Sequence, residues 1–168
     1  LKMRIAFGHK ARCGKDLACD KLRAKYGGTT LRFAEKLYEV VGLVQETLGF
    51  EVKKDRELLT GMADLIKKKD YNIFVRHIER KIGETQGNIF IADLRFKNEA
   101  EMLKKQGFTL VKIARSNSEE SKHVSEHELD DYDGWDYTIA NDGTIEEFTR
   151  DILLLADFLR SNLRKTSK

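Results

Sequence analysis

Short apolar segments alternate with longer segments of helical periodicity along this chain. The short segments have the β-rich composition of buried parallel strands, and they lie at residues 3–7, 88–92, 108–114 and, less clearly, 29–33 and 137–140. The longer segments repeat apolar residues at helical spacing, and they lie at residues 15–25, 35–48, 55–69, 72–82, 98–105 and 145–163. Thr144 and Glu147 form a capping-box pair at the start of the last helix. Strands that alternate with helices predict a parallel sheet covered on both faces.

Two stretches interrupt this alternation. Residues 35–82 are helical in pattern throughout, which is more than one crossover between parallel strands needs. We therefore expect a substrate-holding helical subdomain over residues 33–83. Residues 115–130 are polar and loop-like, and they predict a lid. Neither an internal repeat nor a low-complexity linker divides the chain, so its 168 residues predict one domain over 1–168.

The composition is that of an ordinary water-soluble protein, with 40% hydrophobic and 35% charged residues. The 31 basic and 28 acidic residues nearly balance, so a polynucleotide partner is not expected. No apolar run reaches the ~20 residues of a membrane span, and the N-terminal residues lack a signal-peptide pattern. We therefore expect a cytoplasmic protein with no membrane partner. Cys13 and Cys19 have the spacing of neither a disulfide framework nor a zinc site.

Residues 8–15, GHKARCGK, match the phosphate-loop pattern G-x-x-x-x-G-K between a predicted strand and a predicted helix. Glycines let the backbone aim its N–H groups inward, the helix N-terminus favours negative charge, and Lys15 can reach the β- and γ-phosphates. Asp16 stands where the usual pattern has Ser or Thr. Its carboxylate can serve as an oxygen ligand to magnesium, directly or through water. A glycine-rich turn that binds no phosphate is the alternative interpretation.

A second motif, NIFIADLRF at residues 88–96, is an apolar strand that ends in an acid. Asp93 occupies the place where phosphate-loop proteins put the aspartate that organises magnesium. Arg95 follows two residues later, at the mouth of the strand. An acid after a strand is more often only a cap or a turn, but its position downstream of a phosphate loop favours the magnesium role.

Seven segments together resemble a known family. They are GHKARCGKD, RFAEKLYE (32–39), DRELL (55–59), ADLRFKNEAEMLKKQG (92–107), KIAR (112–115), HVSEHEL (123–129) and IANDGTIEEF (139–148). In this order they resemble the deoxynucleoside monophosphate kinases of bacteriophages and related viruses, and the match spans nearly the whole chain. A loop that ends in Lys-Asp also occurs in that family, so Asp16 is interpreted as a family variant of the loop.

The resemblance implies an enzyme that moves the γ-phosphoryl of ATP onto a 5′-deoxynucleoside monophosphate and gives the diphosphate. It implies ATP and Mg²⁺ as cofactors. The implied fold is a three-layer α/β/α P-loop NTPase of nucleotide-kinase type, with five parallel strands in the order 2-3-1-4-5, a helical monophosphate-binding insertion and a lid. A viral chain would work in the cytoplasm of the infected host cell.

The resemblance also implies roles for single residues. The catalytic group would be Lys15 on the transferring phosphoryl, Asp93, Arg95 and Arg115, with Asp16 and Asp93 on the magnesium. ATP would be held by residues 8–17, specifically Gly8, Arg12, Cys13, Gly14, Lys15, Asp16 and Leu17. The acceptor site would use Phe33, Lys36, Tyr38, Arg56, Arg76 and Arg95. Where the family often has an acid, a proline and then a lysine, this chain has Glu35, Lys36 and Tyr38, so Lys36 is the candidate for that positive charge.

Three other functions remain open at this point. A kinase for a different phosphorylated acceptor is one, because the animal-type phosphomevalonate kinases share the Gly-Lys-Asp loop. A module that binds nucleotide without turning it over is the second, although Lys15, Asp93 and Arg95 argue against it. A polynucleotide-binding protein is the third, and the balanced charge disfavours it. The accepted bases, the sugar preference and the formation of a homodimer are also open.

Overall fold

The computed structural model describes residues 2–116 and 127–165. The strands within these residues are β1 Arg4–Gly8, β2 Thr29–Leu31, β3 Ile89–Leu94, β4 Thr109–Ala114 and β5 Tyr137–Ala140. The helices are α1 Lys15–Tyr26, α2 Glu35–Thr47, α3 Arg56–Lys69, α4 Ile73–Glu84, α5 Lys97–Lys105 and α6 Ile145–Lys165. Each lies within a few residues of its predicted position. None of these helices has the length and apolar character needed to cross a membrane.

All five strands are parallel, and their order is β2-β3-β1-β4-β5. This confirms the predicted fold and strand order. The central strand β1 pairs Ile5 with Phe90 of β3 on one side and with Thr109 of β4 on the other. Its pairing with β3 becomes irregular between Ala6 and Gly8, where the chain leaves the sheet. Because the strands are parallel, their carboxyl ends meet at one edge, which is where ligands bind in open α/β sheets.

Two helical layers cover the sheet because its strands are apolar on both faces. On one face, the buried cluster joins Ile5 and Phe90 with residues of α1 and α6, including Leu22 and Ile152. On the other face, the cluster joins strand residues with α4 and α5, including Ile78, Ile82, Leu103 and Met102. The three-layer arrangement that the sequence predicts is therefore confirmed.

A smaller third cluster lies beside the sheet, where α2 and α3 pack together. It contains Leu37, Val41, Leu59 and Phe74. Asp55 caps the start of α3 by accepting the backbone N–H of Leu58 at 2.9 Å. Apart from Phe74, the buried side chains of α4 pack on the sheet. The division into a subdomain over residues 33–83 stays a prediction.

The residues after β4 and before α6 are described in part. Most of the predicted lid, residues 115–130, falls at 117–126, outside the described residues. The capping box of α6 is present as predicted. The backbone N–H of Glu147 donates to Thr144 Oγ1 at 3.1 Å, and the backbone N–H of Thr144 donates to Glu147 Oε2 at 2.9 Å.

Candidate active site

The turn between β1 and α1 has the backbone geometry of a phosphate loop. His9, Arg12 and Gly14 have φ values of 99°, 55° and 109°, in the left-handed region that non-glycine residues rarely adopt. Left-handed residues turn neighbouring N–H groups toward one concave side, which favours an anion. A Cβ on Gly14 would lie 2.7 Å from Asn141 Nδ2, and one on Gly8 would collide with the Trp135 ring. Glycine is therefore required at both ends of the loop.

Lys15 is folded back inside this loop and is only 6% exposed. Its Nζ donates to the backbone oxygens of His9, at 3.2 Å, and of Lys10, and it contacts Cys13 Sγ at 3.5 Å. Burial lowers the pKa of Lys15, and the nearby charge of Arg95 lowers it further. The ammonium group thus lies at the centre of the loop, where a terminal phosphate of a nucleotide would bind.

Residues that directly follow β4 and β5 support the loop. Asn141 donates its Nδ2–H to Cys13 O at 2.8 Å and its backbone N–H to Ala114 O at 2.7 Å. Arg115 donates from Nη1 to Arg12 O at 3.2 Å. The structure therefore places Arg115, a predicted catalytic residue, against the loop backbone, and it is not among the described residues that line the cavity.

Asp142, the neighbour of Asn141, fixes the first residues of the predicted lid. Its carboxylate accepts the backbone N–H of Ser116 at 2.7 Å and the Ser116 hydroxyl at 3.0 Å. The N–H donor lowers the pKa of Asp142. The Asn-Asp pair, singled out in the sequence as part of a family motif, thus holds both the phosphate loop and the point where the lid begins.

A cavity of about 980 Å³ opens from the phosphate loop toward α2 and α3. This volume is at the upper end of the range for small-molecule sites, about 300–1,000 Å³. Apolar side chains form much of the wall beyond the loop, namely Phe33, Leu37, Leu59, Ala63 and Phe74. Basic side chains also line it, namely Arg12, Lys15, Arg32, Lys54, Arg56, Lys67 and Arg95. This combination suits a ligand with phosphate groups at one end and an apolar body at the other.

Asp93 lies at the carboxyl end of β3 and lines the cavity. Its two oxygens accept the backbone N–H groups of Phe33, at 2.9 Å, and Ala34, at 3.0 Å. Burial raises the pKa of Asp93, although these two N–H groups and the charges of Arg95 and Arg32 act in the opposite direction. Asp93 therefore connects the end of β3 with the segment that enters α2.

Asp16 forms an ion pair that the sequence did not predict. Its Oδ1 lies 2.5 Å from Nη2 of Arg32, the first residue after β2. This hydrogen bond raises the pKa of Arg32. Both residues line the cavity. The signal that could have identified Arg32 is its position at the carboxyl end of a parallel strand.

The residues at this edge fit a magnesium-bound nucleotide. Asp16 and Asp93 supply the carboxylate oxygens that Mg²⁺ prefers, and a carboxylate has about four acceptor positions, more than these hydrogen bonds use. Among residues 2–116 and 127–165, no group of three His, Cys, Asp or Glu side chains could hold a metal ion. That does not conflict with the fit, because kinase magnesium is bound by one or two carboxylates together with substrate phosphates.

Glu99, an acid that the sequence analysis missed, fixes the turn that carries Arg95. It is 4% exposed, and its Oε2 accepts the backbone N–H groups of Arg95 at 2.9 Å and Phe96 at 3.1 Å. Burial raises the pKa of Glu99 to about 8. Lys67 Nζ lies 3.0 Å from the centroid of the Phe96 ring, and burial lowers its pKa. A Glu three residues into a new helix was the available signal for Glu99.

The predicted acceptor residues divide into two groups. Phe33, Tyr38, Arg56 and Arg95 come together around the cavity. Lys36 and Arg76 are not among its described lining residues. Lys36 pairs with Glu39 at 2.5 Å and Arg76 pairs with Asp70, both on exposed helix surfaces. Lys54, which the sequence analysis did not name, lines the cavity and lies 5.9 Å from the Tyr38 ring centroid.

The phosphate loop, the strand order and the cavity beside them define the class of P-loop kinases. A gluconokinase from Sinorhizobium meliloti 1021 superimposes with a TM-score of 0.60 at 15% identity, covering 99% of this chain and 98% of that chain. A shikimate kinase from Aquifex aeolicus vf5 superimposes with a TM-score of 0.56 at 17% identity, covering 94% and 98%. The family model for deoxynucleotide monophosphate kinase matches residues 62–152, and the chain belongs to this family.

Two viral proteins are similar in sequence. An uncharacterized protein, ORF77, of Ictalurid herpesvirus 1 (strain Auburn) is 35% identical over 156 residues, which cover 86% of this chain. A provisionally named deoxynucleotide monophosphate kinase of Acanthamoeba polyphaga mimivirus is 34% identical over 92 residues, 51% of this chain. The chain spans 66% and 48% of the lengths of these two relatives. The resemblance stated from the sequence is confirmed at the level of the family.

Proposed function

We propose that this chain transfers the γ-phosphoryl of ATP to a 5′-deoxynucleoside monophosphate and forms the diphosphate. The observation that carries the proposal is the cavity of about 980 Å³ into which the phosphate loop opens, lined by Arg32, Arg56 and Arg95. Membership of the deoxynucleotide monophosphate kinase family supports the choice of acceptor. The cytoplasmic location and the homodimer stay predictions.

The chain would act mainly by positioning and by neutralising charge, because phosphoryl transfer requires little covalent chemistry from the protein. Residues 11–17 would surround the ATP phosphates, and Lys15 would bind the phosphoryl group that moves. Arg95 lies close enough to Lys15 to lower its pKa, so it would bind charge that develops between donor and acceptor. Magnesium, when bound, would neutralise phosphate oxygens, and Asp16 and Asp93 would hold it directly or through water.

The acceptor would bind in the part of the cavity between α2 and α3. The rings of Phe33, Tyr38 and Phe74 give this part an aromatic wall that suits a base. Arg56 at the start of α3 would contact the acceptor's phosphate. Asp93 would keep the wall in place through its hydrogen bonds to Phe33 and Ala34.

Product formation tests this proposal. The chain is incubated with ATP and Mg²⁺ and each of the deoxy- and ribonucleoside monophosphates, with Lys15→Ala as the inactive variant and Arg23→Ala, an exposed arginine of α1, as the control. We expect deoxynucleoside diphosphates from the wild type and Arg23→Ala, and none from Lys15→Ala. ATP binding without conversion of any monophosphate would contradict the proposal. It would direct the search to other phosphorylated acceptors or to a non-catalytic nucleotide-binding role.

A further inference from the structure

The ion pair between Asp16 and Arg32 joins the two halves of the cavity. Asp16 is the second residue of α1 and belongs to the phosphate loop, whereas Arg32 immediately follows β2 and precedes the wall residue Phe33. The Asp16 Oδ1 to Arg32 Nη2 distance is 2.5 Å. A charged group of the nucleotide-binding side therefore sets the direction of a guanidinium group on the acceptor side.

The pair is too exposed to be explained by stability. The side chains of Arg32 and Asp16 are 43% and 71% exposed, and exposed ion pairs contribute little to folding. The backbone beside Arg32 is already held in another way, since Asp93 accepts the N–H groups of Phe33 and Ala34. What Asp16 adds is the orientation of the Arg32 side chain.

Arg32 lines the cavity and retains hydrogen-bonding capacity. A guanidinium carries five N–H donors, and within the described part of the chain the hydrogen bond of this guanidinium is the one to Asp16. The planar group can bind two oxygens of a phosphate at once, which a lysine cannot do. Arg95 lines the same cavity from the turn after β3, and the proposed function assigns it to the transferring phosphoryl.

We propose that Arg32 binds the phosphate of the monophosphate acceptor and that Asp16 is the positioning residue that aims it there. This inference rests on the proposed function. It also gives a physical reason for Asp at position 16: a Ser or Thr hydroxyl could serve magnesium, but it carries no charge to hold a guanidinium. The carboxylate can hold Arg32 through Oδ1 and leave Oδ2 for magnesium or its water.

Binding measurements separate this role from a purely metal-binding one. Calorimetry gives the Kd of three kinds of ligand: the four natural deoxynucleoside monophosphates, the matching deoxynucleosides, and ATP with Mg²⁺. The proteins compared are the wild type, Arg32→Ala, Arg32→Lys, Asp16→Ser, Asp16→Asn and the double variant Asp16→Ser/Arg32→Ala. Arg23→Ala is the matched control, because Arg23 also pairs with an acid of α1, Asp20, at 3.0 Å. Far-UV circular dichroism verifies that each variant is folded.

We expect Arg32→Ala to weaken binding of the monophosphate by about ten- to a hundredfold, the effect of losing hydrogen bonds to a charged group. Binding of the deoxynucleoside and of ATP should stay unchanged. Asp16→Ser should weaken monophosphate binding by several-fold and keep ATP affinity, since Ser is the usual loop residue. Asp16→Asn, which keeps an acceptor oxygen, should recover part of the loss. The double variant should be no worse than Arg32→Ala, because Asp16 acts through Arg32.

Two results would overturn the inference while the proposed function stands. The first is a wild type and an Arg32→Ala variant that bind and convert the monophosphate equally well. The second is an Asp16→Ser variant that loses ATP affinity and keeps monophosphate affinity, which would make Asp16 a magnesium ligand alone. A wild type that binds ATP and none of the four monophosphates would overturn both the proposed function and this inference.

Discussion

Asn141 holds Cys13, a residue 128 positions earlier in the chain, by donating its side-chain N–H to the Cys13 carbonyl at 2.8 Å. Cys13 lies in the phosphate loop just before Gly14 and is itself fully buried. The loop conformation, with its left-handed residues, is therefore stabilised by the segment between β5 and α6 as well as by its own sequence.

This relationship predicts the effect of Asn141→Ala. Loss of the hydrogen bond leaves the Cys13 carbonyl without its donor, so we expect the free energy of unfolding to fall by about 1–2 kcal/mol. The affinity for ATP should fall by several-fold, because the loop N–H groups lose their alignment. Denaturant unfolding and calorimetric ATP titration measure the two effects. An unchanged ATP affinity in a destabilised Asn141→Ala variant would show that the loop conformation does not depend on Asn141.

Replacing Lys15 should separate activity from stability. In the folded chain the pKa of Lys15 is lowered, chiefly by burial. A lowered lysine pKa means that the charged form disfavours folding at every pH below its unfolded value. Lys15→Met should therefore keep or raise the free energy of unfolding at pH 7, while turnover falls by at least about a hundredfold, as for other lost electrostatic contacts to a transition state. Parallel denaturant and rate measurements test this, and a marked loss of stability would contradict it.

Glu99 should make stability depend on pH in a defined direction. Its pKa is raised to about 8 in the folded chain from an ordinary value of 4.5. For an acid with a raised pKa, ionisation opposes folding, so stability falls as the pH rises through the window from about 4.5 to 8. Glu99→Gln keeps an oxygen for the N–H groups of Arg95 and Phe96 and removes the charge. The free energy of unfolding of Glu99→Gln should depend less on pH than that of the wild type. At pH 8 it should exceed the wild-type value by on the order of 1–3 kcal/mol.

Denaturant midpoints of the wild type and Glu99→Gln between pH 5 and pH 9 would measure this difference. Two parallel profiles would show that Glu99 does not titrate differently in the folded and unfolded chains. The pH dependence of turnover in the same two proteins adds information about the site, because the carboxylate of Glu99 holds the turn that carries Arg95.

Because α4 contributes to the core, replacing a buried apolar residue of α4 should cost more stability than replacing an exposed apolar residue of α3. Ile78 is completely buried between α4 and the sheet, whereas Leu65 of α3 is 61% exposed. Ile78→Ala should lower the free energy of unfolding by about 2–5 kcal/mol, and Leu65→Ala should change it by about 0.5 kcal/mol or less. Chemical denaturation of both variants measures the difference. Equal effects would mean that α4 does not act as a layer of the core.

The positions of the strands and helices could be predicted from the sequence, because the strands are short, β-rich apolar runs and the helices are longer segments with apolar residues at helical spacing. The strand order came with the resemblance to a family. Lys15 could be predicted because it ends the G-x-x-x-x-G-K loop at the start of α1, and Asp93 and Arg95 because they lie at the carboxyl end of β3. The hydrogen bonds of Asp93 to Phe33 and Ala34 could not, because they join residues about sixty positions apart.

The sequence analysis did not identify four of the residues that line the cavity. Lys54, Lys67 and Glu99 belong to no phosphate-loop motif, and the packing of α3 and α5 beside the sheet brings them to one space. Arg32 reaches the same space from the carboxyl end of β2. Conversely, Lys36 lies within a predicted motif, yet the rotation of α2 directs it to Glu39 on an exposed surface. Spacing along the chain determines which face of a helix a residue occupies, but not what that face meets.

The contacts of Lys15 have a consequence for hydration. Lys15 is only 6% exposed, and its ammonium group is already bonded to the backbone oxygens of His9 and Lys10. Most of the water around this cation is therefore displaced during folding, and a phosphate that binds as we propose would exchange one set of oxygen partners for another. Removing water from an ion is the costly part of many charge contacts. In this loop that cost belongs to the folding of the chain, so more of the proposed attraction between lysine and phosphate would be available for binding.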